Sequence, residues 1–259
     1  SDWSSDVCSS DLRWTDTHVH LDRYEPDQRA RMLAEGASAG VHQLVAVSTS
    51  MESSRRTIAL TEPVLKAVGV HPLQAHALDV PVLAGIARAE GVVAIGEIGF
   101  DGNGPGRSVQ GVAFEQQAAI ARDLGLSVVL HIDGPNAWQA FEGAAFMLDG
   151  LRVIRHYFTG DDEQLGFHAA HGHFISFGRP LLRDAGLQRL AQACPAELLL
   201  IETDTYPIPG RTTEPKDLAG VAQVMARQRA VPLEALSALL EDNTRRAFNL
   251  APEMERPTE

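Results

Sequence analysis

From Leu12 onward, short and nearly continuous apolar runs alternate with longer stretches in which apolar residues recur at helical spacing. The short runs predict strands at 13–18, 43–48, 65–70, 92–97, 127–131, 151–156, 173–177 and 197–203. They are mostly apolar rather than alternating, as expected of parallel strands covered on both faces. Amphipathic segments between them, such as Asp27 to Ala39, Val80 to Ala89 and Phe114 to Leu124, predict helices. Eight such βα units predict an α/β fold, a (β/α)8 TIM barrel. An open doubly wound sheet is the competing arrangement. Its dinucleotide-binding form is disfavoured, because no Gly-x-Gly-x-x-Gly turn follows the first strand.

Gly99 to Gly106 contains four glycines and predicts a loop after the fourth strand, where a barrel has its mouth. That loop is either a tolerant connection or one that gates substrate. Near the end of the sequence, Pro232 to Leu240 predicts a helix with proline in its first turn, and Asn243 to Leu250 an apolar segment packing back. Residues 12–250 therefore read as one domain. Residues 1–11, polar and repeating Ser-Ser-Asp, read as a disordered or extraneous extension, and 251–259 as a frayed tail.

Composition narrows the function classes. The chain has 259 residues, and a barrel needs only about 250. No apolar run reaches the roughly 18 residues of a membrane span. Two cysteines, Cys8 and Cys194, give neither a disulfide framework nor a cysteine-rich zinc knuckle, so a reducing, cytoplasmic setting is expected. A net charge of −12 disfavours a broad basic surface that coats nucleic acid, since such binding works by neutralising phosphates. It leaves open an enzyme that meets one phosphate at a metal centre.

The candidate chemistry lies where the strand runs end. Thr15-Asp16-Thr17-His18-Val19-His20 closes the first, and the i, i+2 spacing sends both imidazoles to one face of a strand. Glu97 closes the fourth run, His131 the fifth and His156 the sixth. Glu202-Thr203-Asp204 closes the eighth with two carboxylates. Any one of these has an ordinary explanation, a solvated strand end or a hydrogen-bonded core histidine. Together they predict convergence on a metal centre with enough donors for two ions, which binuclear hydrolytic sites hold roughly 3.5–4 Å apart. Zinc, manganese and magnesium are all compatible with imidazoles plus shared carboxylates.

The ordered set resembles the TatD-type metal-dependent deoxyribonucleases, a branch of the amidohydrolase-like barrels. The resemblance rests on Asp16-Thr17-His18-Val19-His20-Leu21-Asp22, Gly69-Val70-His71-Pro72, Ile95-Gly96-Glu97-Ile98-Gly99-Phe100-Asp101, Gln110 with Phe114 and Gln117, and His131. It continues through His156-Tyr157-Phe158-Thr159-Gly160, Glu202-Thr203-Asp204, Glu214-Pro215 and Asn243. It implies a barrel of the metal-dependent hydrolase type holding two divalent ions. His18, His20, Glu97 and Asp204 would hold one ion, and Glu97, bridging, would join His131 and His156 on the second. His71 and Asp101 resemble substrate-facing positions, although His71 would equally cap the turn into Pro72. Asp204 would accept the proton of the attacking water, and Glu202 would orient a ligand histidine from behind.

The expected activity is hydrolysis of a phosphodiester, in DNA or a small molecule. An ester, amide or aminoacyl substrate at the same centre is the alternative, and a non-catalytic metal-holding barrel a second. Two departures bear on this choice. Ile132-Asp133-Gly134 follows His131 where the family usually has a small polar residue and then arginine, and the stretch after Asp101 is glycine-rich instead of aromatic. Other candidates carry less. His168, His171 and His173 read as a surface cluster between the sixth and seventh strands, and His42 and His76 as isolated. Asp161-Asp162-Glu163 reads as the acidic first turn of a helix, where negative charge suits the helix dipole. Cys194 has no catalytic setting, and no Gly-x-Ser-x-Gly elbow is present.

Overall fold

The computed structural model describes residues 12–210 and 213–251. The expectations for 1–11, Cys8 among them, and for 252–259 lie outside the described residues. Eight parallel strands follow one another around a single sheet: β1 (Trp14–Val19), β2 (Val41–Val47), β3 (Leu65–Val68), β4 (Val92–Asp101), β5 (Ser127–Asp133), β6 (Val153–Arg155), β7 (Phe174–Phe177) and β8 (Leu199–Ile201). A parallel bridge between Val19 and Thr205 joins the last edge to the first, reinforced by His20 N–H donating to the Thr205 carbonyl at 2.8 Å. The barrel expected from the hydrophobic pattern is what the chain forms.

Helices cover the outside: α1 (Pro26–Ser38), α2 (Met51–Ile58), α3 (Val80–Ile86), α4 (Arg107–Leu124), α5 (Ala137–Glu142), α6 (Asp162–Ala170), α7 (Ala185–Ala193), α8 (Leu218–Arg229) and α9 (Leu233–Ala247). Their starts follow local chemistry. Asp161 caps α6 by accepting from Gln164 N–H at 3.0 Å, and Asp184 caps α7 by accepting from Leu187 N–H at 3.0 Å. Inside the barrel, Val45, Val47, Ala67, Ala94, Val129 and Leu200 pack as one cluster with Phe248. Leu44 and Ala46, the alternate residues of β2, pack into the layer between sheet and helices. The Ser127 hydroxyl donates to the Ala247 carbonyl at 2.7 Å, so the end of α9 and Phe248 lie at the strands' N-terminal face. The opposite face is left for the site.

Several boundaries differ from the sequence expectation. The strand β4 continues to Asp101, so Gly99 to Asp101 are strand and not loop; they pair with His131, Ile132 and Asp133 of β5. Gly99 makes this pairing possible. Its φ is +144°, and a Cβ there would stand 2.0 Å from the His131 carbonyl oxygen. Helix α4 begins at Arg107, earlier than the apolar pattern indicates, because the buried face of its first turns carries Gln110 in place of an apolar residue. The two segments expected near the C-terminus are one helix, α9, whose inward face carries Leu236, Leu240, Asn243, Thr244 and Ala247. Asn243 donates to the Ala196 and Leu199 carbonyls at 2.7 and 2.8 Å, which fixes the chain as it enters β8.

The histidine group between β6 and β7 is not on the surface. His168 and His173 are buried, their Nδ1 atoms 3.0 Å apart, among Trp138, Phe141, Phe158 and Phe167; only His171 is exposed. Trp138 and Phe141 of α5, Phe167 of α6 and Phe158 enclose them, a pocket drawn mostly from residues distant in sequence.

Candidate metal centre

Two irregularities in the sheet aim the central side chains. Between Asp16 and Val19, β1 advances three residues while β2 advances two, and between Ile95 and Ile98 β4 does the same against β5. Such bulges re-aim a side chain at a strand's end. His18 lies in the first and Glu97 in the second. Gly96, beside Glu97, is forced by the close approach of β5: a Cβ there would meet the Val129 Cβ at 2.5 Å.

Glu97, 3 % exposed, is the hub. Its Oε2 faces His18 Nε2 at 3.5 Å and His20 Nε2 at 3.8 Å. Its Oε1 faces His131 Nδ1 at 2.6 Å, His156 Nε2 at 2.7 Å and His71 Nε2 at 3.5 Å. Asp204 Oδ1 completes the first side, 3.5 Å from His20 Nε2 and 3.8 Å from His18 Nε2. Donor atoms of His18, His20 and Asp204 lie within 4.8 Å of one another, and so do those of Glu97, His131 and His156. The groups His71, Asp101, His131 and His18, His156, Glu202 meet the same spacing. All six residues expected as ligands therefore share one rim of the barrel, with His71, Asp101 and Glu202 beside them.

Supporting bonds set how the rings face. His20 Nδ1 donates to the Val47 carbonyl at 2.8 Å, an acceptor only, which leaves Nε2 directed at the carboxylates. Glu202 Oε1 lies 3.2 Å from His156 Nδ1 and accepts from Tyr157 N–H at 2.6 Å. His71 Nδ1 accepts from Leu73 N–H at 3.1 Å, so its cap and its approach to Glu97 coexist on one ring. Asp101 Oδ2 stands 3.3 Å from His131 Nε2.

Charge is unevenly held here. Burial alone would raise Glu97, but His156, His71 and His131 hold its carboxyl well below the usual carboxylate range. Burial opposes charge on His156 too, yet Glu97 and Glu202 raise it to about 10. His131 and His20 are also raised against their burial, by Glu97 and by Asp204 respectively. His18 goes the other way, lowered by burial and then by His156. Neither ring nitrogen of His18 has a hydrogen-bond partner among the described residues, nor does Glu202 Oε2, and all three atoms are buried. Donors left so inside a protein are costly unless something binds them. The donor set, imidazoles and carboxylates on both sides of one carboxylate, fits divalent transition ions.

Several contributors carry no signal as ligands in sequence. Asp16, fully buried, accepts from Thr203 N–H and Oγ1 at 2.9 and 2.5 Å and so pins β8 against β1. Gln117 binds both the N–H and the carbonyl of Val70 at 2.7 and 3.1 Å, and Gln110 those of Asp101 at 2.8 Å each. Arg155, also buried, donates to the Ile132 carbonyl at 2.8 Å and to the His156 carbonyl, and so ties the ends of β5 and β6 together. Cys194 is buried away from the centre, its thiol pushed up to about 12 by burial. The rim opens into a cavity of about 970 Å³ whose walls include Arg23, Tyr24, Asp133, Arg155, Tyr206 and Ile208.

A parallel barrel with clustered imidazoles and carboxylates at the C-terminal ends of its strands is the arrangement of a metal-dependent hydrolase. Residues 15–249 match the sequence model of the family described as TatD related DNase, and the chain belongs to this family of metal-dependent hydrolases. The uncharacterized metal-dependent hydrolase YcfH of Escherichia coli K12 is 31% identical over 263 residues, which cover 91% of this chain and 95% of that one. The protein named 3'-5' ssDNA/RNA exonuclease TatD from Pantoea sp. At-9b is 31% identical over 244 residues, 86% of this chain and 94% of that one. The crystal structure of YjjV, a TatD homolog from Escherichia coli K12, superposes with a TM-score of 0.82 at 26% identity, covering 93% of this chain and 99% of that one.

Proposed function

We propose that the protein hydrolyses phosphodiester bonds, with single-stranded DNA the first substrate to test, at a centre of two divalent ions. The observation that carries this reading is the Glu97 carboxylate, whose two oxygens face two separate groups of donors. His18, His20, Glu97 and Asp204 would hold one ion, and Glu97, His131 and His156 the other. When bound, such a pair lowers the pKa of water and offsets charge building on a phosphate. Zinc or manganese suits four imidazoles, and magnesium remains compatible with the carboxylates.

The chain's own groups then have distinct tasks. Asp204, its side chain 17% exposed and its carboxyl held below the usual range, accepts the proton lost by water. Its low pKa has opposed causes: burial raises it, and the bond to His20 lowers it. Glu202 fixes His156 from behind, and His71 and Asp101 face the substrate. The relative named as a ssDNA/RNA exonuclease supports this substrate class. Asp204→Asn should reduce turnover of a DNA oligonucleotide at least about a thousandfold, as loss of a base that is also a ligand would, with an unchanged circular dichroism spectrum. Wild-type rates in that variant would remove Asp204 from the mechanism.

One observation favours a second reading. Asp133, exposed on the cavity wall, puts negative charge where an incoming phosphate would pass. An ester or aminoacyl substrate would tolerate it better. Assaying single-stranded DNA, bis(p-nitrophenyl) phosphate and p-nitrophenyl acetate side by side separates the two. Phosphodiester turnover above ester turnover supports the first, and the reverse order supports the second.

A further inference from the structure

Three arginines line the cavity, and they differ in how their charge is held. Arg56 donates Nε and Nη2 to Asp22 Oδ2 at 3.2 and 2.9 Å and Nη1 to Glu52 at 2.7 Å, so two carboxylates occupy it. Arg155 is 3 % exposed and spends its guanidinium on the Ile132 and His156 carbonyls. Arg23 is exposed, and the one hydrogen bond of its guanidinium among the described residues runs from Nη2 to a neutral hydroxyl, Thr49 Oγ1, at 2.9 Å. No carboxylate of the described residues forms an ion pair with it.

Its base is fixed, although its head carries no counter-charge among the described residues. Arg23 ends the short 3-10 turn Leu21–Arg23 that leaves β1 directly after His20. Leu21 and Asp22 in that turn are buried, and Asp22 accepts from Ser53 Oγ at 2.8 Å as well as from Arg56. A planar guanidinium therefore stands over the β1 side of the mouth, one 3-10 turn from a residue of the metal centre. Across the cavity, at the end of β5, stands the exposed carboxylate of Asp133. The end of β5 thus offers the incoming substrate a carboxylate, whereas the end of β1 offers the Arg23 guanidinium, beside a Glu25 carboxylate that caps α1. In a chain of net charge −12, a polyanion gains little from the surface at large, and a local cation decides where it docks.

We propose that Arg23 is a specificity-determining residue that holds the phosphate adjacent to the scissile one, so that the strand leaves the metal centre over β1 and away from Asp133. This rests on the phosphodiesterase reading above. Guanidinium suits the task because its paired N–H groups match two phosphate oxygens. It follows that the enzyme prefers a substrate with a second phosphate to an isolated phosphodiester.

The test uses the metal-loaded protein, its Arg23→Gln and Arg23→Lys variants, and a fluorescent tetrathymidylate with a hydrolysis-resistant phosphorothioate backbone. Fluorescence anisotropy across a salt series should show Arg23→Gln binding about five- to tenfold more weakly, Arg23→Lys recovering part of the loss, and the salt slope reduced by about one. With ordinary tetrathymidylate, the rise in KM caused by Arg23→Gln should exceed its rise on bis(p-nitrophenyl) phosphate, while kcat stays within about twofold. Wild-type affinity and salt slope in Arg23→Gln overturn the proposal, as does failure of the wild type to bind the oligomer. Arg23-dependent binding without cleavage supports the anchor and refutes the hydrolytic reading. Cleavage with an Arg23-independent KM does the opposite.

Discussion

At the scale of single residues, a carboxylate that is 3 % exposed and faced by five imidazoles must have positive charge brought to it. In the metal-free protein protons supply that charge: His156 is raised to about 10, and His131 is raised as well. A metal needs neutral imidazole, so loading at pH 8 must expel those protons, and apparent affinity must climb with pH up to the raised values. Calorimetric titration with zinc in two buffers of different ionisation enthalpy checks this. We expect net proton release at pH 8, and release of none would contradict the charge assignment. The candidate ligands Glu97, His131 and His156 are legible in the sequence because each closes an apolar run there, although β4 and β5 continue past Glu97 and His131. Arg155 gives no such signal, and Asp16 and Gln117 enter only through the family resemblance, since their partners are backbone and hydroxyl groups that no spacing rule reveals.

At the scale of elements, the site depends on two bulges and one helix. The bulges in β1 and β4 turn His18 and Glu97 inward, and neither could be read from the sequence, where β4 appeared to stop at Glu97 and not at Asp101. The helix α4 lies along the ends of β3 and β4 and uses Gln110 and Gln117 as extra strand partners for Asp101 and Val70. Gln110 interrupts the apolar stripe in the first turns of the helix, so the apolar pattern alone starts it at Phe114. Gln117→Ala should cost about 2–4 kcal/mol in urea unfolding, because it orphans a buried N–H and a buried carbonyl. Released at Val70, His71 should shift, so kcat/KM should fall by more than the loss of folded protein explains. A variant with full stability and activity would contradict this role.

At the scale of the whole molecule, the barrel is closed at one face and open at the other. Phe248 and Ala247 pack under the inward residues of β2 to β8, far from the metal centre. Phe248→Ala should therefore lower stability by about 3–5 kcal/mol, yet leave kcat at low temperature near wild type; a matching loss of kcat would link the two faces. The His168–His173 pair adds a pH dependence. Burial lowers His173 to about 4 and holds His168 well below the ordinary imidazole value, so both stay neutral when folded while an unfolded histidine takes a proton below about 6.5. The unfolded state then binds more protons, and stability falls as pH drops from 6.5 toward 4. His173 alone accounts for on the order of 3 kcal/mol across that window. The slope of unfolding free energy against pH should be shallower in His173→Gln, and an equal slope would exclude the pair as its source.

Metal content bears most directly on the central claim that Glu97 joins two sites. Wild type and Glu97→Gln, saturated with zinc or manganese and freed of excess ion, can be compared by elemental analysis against protein concentration. The account predicts two ions per wild-type chain, and one or none in the variant. A wild-type chain that saturates at one ion, or a variant that keeps both, would contradict it.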